Sequence, residues 1–267
     1  MVTKEQSATY LLGNPEDASS ALTITIVDTS LYSGTDQEIL RPNQVIAHTR
    51  NSAVSPWVEA VTRTINSILS QPLDFAFVAN ELKQVFDNAG GYTNASGVHV
   101  LSVASELGLV LEHHFKDYSA TKGFRQETPE DRPAQLSGKT YKITPPLKDT
   151  SIYLTVNDRA ATEDGTAEYS PFEIFLRSDD PEEHQWQNAL CTLVSAALRQ
   201  NSSAEHIINE LKTIESVDGY FAPGFGHCSS TVSHLARVIE KHCIECIQAS
   251  EPVQNQEQSS DADMVSV

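Results

Sequence analysis

The chain has 267 residues, 39% of them hydrophobic, and a formal net charge of −18 from 36 acidic and 18 basic side chains. This excess of negative charge disfavours nonspecific binding to nucleic acid or anionic membranes, which needs clustered lysine and arginine. The sequence has no run of 18 apolar residues of the kind that crosses a membrane, and its first residues lack the apolar core of a signal peptide. The four cysteines favour a reducing compartment, so the sequence predicts a cytoplasmic protein.

The first part of the chain predicts three strands. Thr9–Leu12, Thr23–Val27 and Gln44–Ala47 carry the β-branched and alternating apolar residues that are typical of strands. Ser30–Arg41 indicates a hairpin loop, and Asp28 follows the second run, where aspartate commonly opens a turn. Strands joined by short loops are expected to pair antiparallel.

Three helices are predicted to follow these strands. Ser55 is expected to cap the first helix, with Pro56 at its opening position. A second helix is expected to begin at Asp74, Asp87–Gly97 indicates a turn-rich loop, and Leu101–Phe115 predicts the third helix. The apolar face of the first helix has spacings of four, four and three: Trp57, Val61, Ile65 and Ile68.

The same order of parts occurs again at a nearly constant offset. Trp57 and Trp186 are 129 residues apart. An offset that drifts by only a residue or two indicates two diverged copies of one unit, and the unit is too long for a solenoid repeat. Further pairs at offsets of 128 to 130 are Pro42 with Pro171, Asp28 with Asp158, Gly91 with Gly219, Glu112 with Glu240 and His114 with His242.

The predicted fold class is α+β with an internal duplication. Each unit is expected to form a small three-stranded antiparallel sheet packed on about three helices, and the two units are expected to form a pseudo-dimer. The predicted boundaries are a first unit at 1–118, a linker at 119–137, a second unit at 138–249 and a disordered acidic tail at 250–267. In the second unit, Asp180 and Pro181 are expected to cap and open the first helix.

Cys243 and Cys246 form a C-x-x-C pair, a pattern of redox dithiols and of half zinc sites. The repeat aligns them with Phe115 and Tyr118, and they continue the apolar stripe of a predicted helix. Buried cysteine behaves as a small hydrophobic residue, so core packing is favoured and redox or metal chemistry is the alternative.

Histidines near the end of the chain are further metal candidates. His227, His234 and His242 could ligate zinc together with Cys228, but no second pair at the close spacing of a structural zinc site occurs. His242 and its counterpart His114 lie near the ends of predicted helices, where the helix dipole favours an imidazolium. The sequence therefore predicts no metal, no cofactor and no catalytic residue.

Two glycine-containing loops are the predicted ligand contacts. Glycine lets backbone N–H groups approach a phosphate, although neither loop matches a P-loop or a dinucleotide-binding fingerprint. Asp28 and Asp158 could alternatively form a paired-carboxylate site across the twofold axis, and Trp57 and Trp186, expected core anchors, could instead stack on a base. The candidate ligand-binding residues are Gly90, Gly91, Tyr92, Asn94, Gly219, Tyr220, Gly224 and Gly226.

Several segments resemble a known domain. Gly138–Ile143, Ile152–Asp158, Pro171–Ser178 with Trp186, and Asp74–Gly91 in the first copy resemble the C-terminal TSCPD domain of adenosylcobalamin-dependent (class II) ribonucleotide reductases and its free-standing relatives. The Thr-Ser-Cys-Pro-Asp motif that names the domain is absent, and its nearest trace is His227–Ser230. The chain has no room for the reductase barrel, so the resemblance implies an appendage of nucleotide metabolism and not the catalyst.

The expected function is a non-catalytic nucleotide-binding or accessory protein. Its partner would be a nucleotide-like small molecule or a reductase subunit, with self-association as a further option, and a phage-type protein that sequesters nucleotide signals fits the same pattern. The alternatives are an acidic interaction protein or DNA mimic that inhibits a nucleic-acid enzyme, and a redox accessory acting through Cys243 and Cys246.

Overall fold

The computed structural model describes residues 5–31, 39–71, 75–116, 131–146, 148–163, 166–200 and 204–250. Asp74, Tyr118, residues 119–130 of the predicted linker and residues 251–267 of the predicted tail lie outside them. The first half contains β1 (Glu5–Leu12), β2 (Leu22–Leu31), β3 (Ile39–Thr49), α1 (Ser55–Leu69), α2 (Ala76–Lys83), β4 (Tyr92–Thr93), β5 (His99–Val100) and α3 (Val103–Phe115). The second contains β6 (Ser137–Ile143), β7 (Ile152–Glu163), β8 (Thr166–Arg177), α4 (His184–Arg199), α5 (Ala204–Lys212), β9 (Tyr220–Ala222), β10 (Gly226–Cys228) and α6 (Thr231–Ser250).

Each half is built around a three-stranded antiparallel sheet, in the order β1-β2-β3 and β6-β7-β8. The α+β fold class predicted from the sequence is therefore confirmed. In both sheets the pairing shifts register at the same place, between Val27 and Asp28 and between Asn157 and Asp158, where Pro42 or Pro171 faces the aspartate. Proline has no N–H to donate to a ladder, so a bulge at this position is expected.

Asp28 and Asp158 do not end their strands, contrary to the sequence prediction. The strands continue past both residues because the bulge absorbs the interruption. Asp28 lies on the inner face of its sheet, where it continues the buried series Leu22, Ile24 and Ile26. An aspartate placed among buried side chains needs a partner, because a buried carboxylate is costly unless it is paired.

Other predicted boundaries are corrected by the structure. Helix α1 begins at Ser55, so Val54 takes the capping position, and α4 begins only at His184, behind Glu183. Two short ribbons, β4-β5 and β9-β10, begin within the glycine-containing loops Asp87–Gly97 and Gly219–Gly226 and end beyond them. Strands of two or three residues carry too little alternation to be recognised in a sequence.

Buried apolar side chains of the two halves join in one continuous core. Helix α1 packs on β3 and α4 on β8, while α1 and α4 pack on each other. Helix α1 also contacts α5 and α6, and α4 contacts α2 and α3, so each leading helix touches three helices of the opposite half. The halves therefore meet through their helices.

Equivalent hydrogen bonds recur in the two halves. Ser102 Oγ donates to the carbonyl of Val85 and accepts from the N–H of Ser105, and Ser230 Oγ makes the corresponding bonds to Ile214 and Ser233. Two lysines that are 129 residues apart pair with the repeated glutamates: Lys83 with Glu112 at 2.5 Å and Lys212 with Glu240 at 2.6 Å. This correspondence supports the predicted duplication.

The described end of the predicted linker is attached to the second sheet. Arg132 forms two 2.8 Å bonds to the buried carboxylate of Glu173 on β8. Within the described part of the chain, every helix is too short or too polar to span a lipid bilayer.

Replacing either tryptophan with alanine is expected to lower the free energy of unfolding by about 3–5 kcal/mol, as for large aromatic residues in cores. Trp57 and Trp186 are only 1% and 4% exposed, which makes both of them core residues. Denaturant melts of Trp57→Ala and Trp186→Ala measure the effect, with Phe221→Ala as a control because Phe221 is 76% exposed. A change of about 0.5 kcal/mol or less at both tryptophans would contradict their role as core anchors.

Candidate functional site

A cleft of about 340 Å³ lies between the two halves, at the start of helix α4. The first half contributes the turn before β2, Asn51 and most of the 87–92 loop, and the second half contributes Pro181, Glu182, Gln185 and Trp186. Its polar side chains are mainly amides, hydroxyls and carboxylates. The cleft is thus a concave, polar site that needs both halves.

Gln185 ties one wall of the cleft to the other. Its Oε1 accepts hydrogen bonds from the N–H groups of Val103, at 2.9 Å, and Ala104, at 3.3 Å, and its Nε2 donates to Asp87 at 3.4 Å. N–H groups in the first turn of a helix have no partner within the helix, so this side chain of the second half completes the start of α3. Sequence reasoning missed Gln185, because a glutamine within a helical pattern carries no signal of a distant cap.

Tyr92 connects the cleft to a buried carboxylate. Its Oη donates to Glu106 Oε2 at 2.6 Å, and the N–H of Gly13 donates to the same oxygen at 2.9 Å. Burial, and next the hydrogen bond to Glu106, raise the pKa of Tyr92 above its usual value. The phenol therefore remains protonated at physiological pH.

Two of the four predicted ligand residues in the first loop line the cleft. Gly91 and Tyr92 do so, whereas the N–H of Gly90 donates to Asp87 and Asn94 Oδ1 accepts from Ser96 and Val98 within the loop itself. Gly91 has a φ of +79°, and a Cβ there would lie 2.3 Å from the carbonyl oxygen of Val100. Only glycine can occupy such a position.

The second predicted loop is placed differently. Tyr220 is buried in a small apolar cluster, and its hydroxyl bonds to His234 Nδ1 at 2.8 Å. Gly224, in the turn between β9 and β10, and Gly226, the first residue of β10, have positive φ angles, and Gly219 precedes β9. The second-half lining of the cleft comes from residues 181–186. The second glycine-containing loop therefore does not line this cleft.

The cleft has an acidic lining. Asp17, Asp87 and Glu182 are its acidic side chains, and the buried side chain of Glu106 accepts a hydrogen bond from Tyr92. These groups give the cleft a negative potential, which repels anions and attracts donors of hydrogen bonds. A phosphate cradle of the kind proposed from the glycines is therefore disfavoured here.

A larger groove, of about 750 Å³, runs beside β3 between α1 and α5. The backbone groups of β3 that face this groove already have a hydrogen-bond partner. The side chain of Asn66 accepts from the N–H of Val45 at 2.7 Å and donates to its carbonyl at 2.9 Å. Ser195 closes the corresponding edge of the second half at Ile174. These helix side chains protect edge strands, which is a structural role, so the smaller cleft is the better candidate for a ligand.

A hydrogen-bonded trio of tyrosine, histidine and aspartate lies in the first half. His114 Nδ1 is 3.2 Å from Tyr10 Oη, and His114 Nε2 is 3.0 Å from Asp28 Oδ1. The strand residues Tyr10 and Asp28 and the helix residue His114 thus join β1, β2 and α3 through one polar network. This trio supplies the partner that the inner-face aspartate needs.

The second half repeats the trio and adds a thiol. His242 Nδ1 is 2.8 Å from Tyr141 Oη, His242 Nε2 is 2.8 Å from Asp158 Oδ1, and Cys246 Sγ is 3.5 Å from the same Nε2. Each repeated aspartate thus pairs with the histidine of its own half, and the alternative of a carboxylate pair across the twofold axis is not what the structure forms. The sequence revealed the repeated Asp and His, but the tyrosines carried no signal beyond a strand pattern.

The thiols of helix α6 have a high pKa. Burial raises the pKa of Cys243 and of Cys246 to about 11 in each case, with neighbouring negative charge acting in the same direction. A dithiol ready for exchange needs a lowered pKa, so these values give the redox alternative no support.

Residues 121–243 match the family model of the TSCPD domain. The match runs from the predicted linker to Cys243 in helix α6, and it confirms for the second half the resemblance seen in the sequence. The tandem arrangement stays a prediction, because the matched range covers one half. No curated protein and no solved structure matches the chain.

Thiol labelling of the folded chain is expected to be slow at neutral pH. Cys243 and Cys246 are protonated there, and Cys191 is fully buried with a pKa raised to about 12. A disulfide reagent in the presence of EDTA should therefore modify these three thiols much more slowly than it modifies the same thiols in denaturant. Rapid labelling of Cys243 and Cys246 before unfolding would instead favour a redox role.

Acidification is expected to destabilise the chain partly through His234. Burial, and next the charge of Arg237, lower the pKa of His234, so at pH values below about 6.5 the unfolded state binds a proton that the folded state resists. This contribution to stability is present above about pH 6.5 and is lost as the pH falls. Denaturant melts between pH 7 and pH 5 should show a weaker pH dependence for His234→Gln than for the unaltered chain, while exposed His99→Gln leaves it unchanged.

Proposed function

We propose, from the match of residues 121–243 to the TSCPD family model and from the cleft between the halves, that this chain is a non-catalytic accessory protein that binds a nucleotide-like small molecule. The match supports the resemblance of the second half to the C-terminal domain of ribonucleotide reductases. Binding of this kind could support nucleotide metabolism, with a reductase subunit as partner, or could sequester a nucleotide signal.

One observation carries the proposal: both halves line the cleft, and its lining offers donors and acceptors of hydrogen bonds. Asn51, Asn88 and Gln185 supply amides, Ser19 supplies a hydroxyl, and Asp87 supplies a carboxylate. Amides pair with the edges of bases, and carboxylates accept hydrogen bonds from ribose hydroxyls. A volume of about 340 Å³ lies at the lower end of the range for small-molecule sites and suits a nucleoside.

The acidic lining specifies the part of the ligand that enters. Base and sugar are neutral and can lie against Asp17, Asp87 and Glu182, whereas phosphates are repelled and must point to solvent. The expected order of affinity is therefore nucleoside first, monophosphate next and triphosphate last. A decrease of about tenfold from nucleoside to triphosphate corresponds to about 1.4 kcal/mol of repulsion.

Titration calorimetry of the full chain against nucleosides and their mono- and triphosphates tests the proposal. Ala89→Trp is the informative variant, because exposed Ala89 lines the cleft and a large side chain there fills it. Val217→Trp is its matched control, since Val217 occupies the corresponding position of the second loop, 128 residues later, and is 93% exposed. Binding should disappear in the first variant and persist in the second.

Two results would refute the proposal. One is a lack of binding to every member of the panel. The other is binding that Ala89→Trp and Val217→Trp affect equally, which would place the ligand outside the cleft. Tighter binding of triphosphates than of nucleosides would likewise contradict the role assigned to the acidic lining.

A further inference from the structure

Three side chains with different ligand atoms converge at the end of helix α6. Asp158 lies on β7 at the bulge in its pairing with β8, and His242 and Cys246 lie four residues apart, on one face of the helix. Their ligand atoms, Asp158 Oδ, His242 Nε2 and Cys246 Sγ, all lie within 4.8 Å of one another. The histidine and the cysteine are buried, and the aspartate side chain is only 10% exposed.

The distance between the histidine and the cysteine suits a single tetrahedral metal ion, whereas the 2.8 Å from His242 Nε2 to Asp158 Oδ1 is a hydrogen-bond distance that metal binding has to lengthen. Zinc bound at about 2.0–2.1 Å from nitrogen and about 2.3 Å from sulfur separates those two ligands by about 3.5 Å. The distance from His242 Nε2 to Cys246 Sγ is 3.5 Å. Imidazole, thiolate and carboxylate are also the three ligand types that zinc takes from proteins.

The opposite nitrogen of the histidine already has the partner that a metal ligand needs. Tyr141 Oη lies 2.8 Å from His242 Nδ1, and the two rings meet edge to face with an interplanar angle of 89°. A hydrogen bond at the second nitrogen fixes the orientation of a ligating imidazole and keeps the first nitrogen directed at the metal.

The first half provides an internal comparison. Tyr10, His114 and Asp28 form the same trio, but the repeat places Tyr118 at the position of Cys246. Hydrogen bonding alone thus accounts for a tyrosine, a histidine and an aspartate, whereas the thiol is an addition of the second half. It gives that half the soft ligand that selects zinc over magnesium or calcium.

We propose that Asp158, His242 and Cys246 bind one zinc ion, with Tyr141 orienting the histidine. Binding replaces the proton of the thiol with the metal, since a coordinating thiol is deprotonated. Three protein ligands leave one tetrahedral position for water or another donor. The proposal stands apart from the function assigned to the cleft, because none of these residues lines it.

The test uses the full chain, stripped of metal with EDTA, dialysed and titrated with Co²⁺ and Zn²⁺. One equivalent of Co²⁺ is expected to produce a thiolate-to-cobalt absorption band that Zn²⁺ abolishes by displacement. Cys246→Ser should remove the band and weaken zinc binding by at least about 100-fold, because even the loss of an outer partner costs 10–100-fold. Tyr141→Phe should keep the band and weaken binding by about tenfold.

Two variants serve as matched controls. Cys243→Ser changes the neighbouring thiol, and His114→Gln changes the equivalent histidine of the first half, so both should bind zinc as the unaltered chain does. Absence of the thiolate band would overturn the proposal. So would binding of two equivalents, or a band that depends on Cys243 in place of Cys246. Thermal melts of each apo variant establish that it is folded.

Discussion

The placement of the last helix in each half depends on a buried carboxylate. Three apolar residues of the central strand are followed on the inner face by Asp28 or Asp158, at the bulge opposite a proline. A carboxylate removed from water is costly unless a partner compensates it, and the histidine of α3 or α6 is that partner. Apolar contacts tolerate a shift of the helix along the sheet, whereas the bond between aspartate and histidine requires one relative position. This bond therefore fixes the position of the helix on the sheet.

The two halves share a frame and differ in the chemistry attached to it. Tyr92 bonds to a glutamate in the first half, while Tyr220 bonds to a histidine in the second. The tyrosine is thus present in both halves, but its partner can carry a negative charge in the first half and a positive charge in the second. Gln185, which bridges the cleft, corresponds to Pro56, so no equivalent bridge can form on the other side. Specific functions are therefore expected where the repeat is broken.

Much of the architecture could be predicted from the sequence, because it rests on periodic patterns. The stripe of Trp57, Val61, Ile65 and Ile68 is buried as its spacing indicates, and each half has a three-stranded antiparallel sheet followed by three helices, as predicted. Strand ends were less predictable: aspartate is a turn signal, and the bulge that lets β2 continue depends on Pro42 of the neighbouring strand. Such a pairing is visible only in three dimensions.

The cleft was less predictable than the fold. The glycines indicated a loop at 87–97, and Gly91 and Tyr92 of that loop line the cleft. The opposite wall comes from a polar segment about 90 residues later. Contacts of this kind between elements distant in sequence leave no periodicity. The same holds for Tyr10 and Tyr141, whose strand patterns give no indication that they contact a histidine about 100 residues away.

The bond from Gln185 to the start of α3 has a consequence for the order of assembly. Helix α3 spans Val103–Phe115, so its residues leave the ribosome well before Gln185 has been synthesised. Domains generally fold as units from the N-terminus during synthesis. Here the first unit must wait, with two N–H groups of its last helix exposed to water, until the second unit supplies the glutamine. Docking of the nascent second half is therefore the step that completes the first, and a pause in translation between them would prolong an incomplete state.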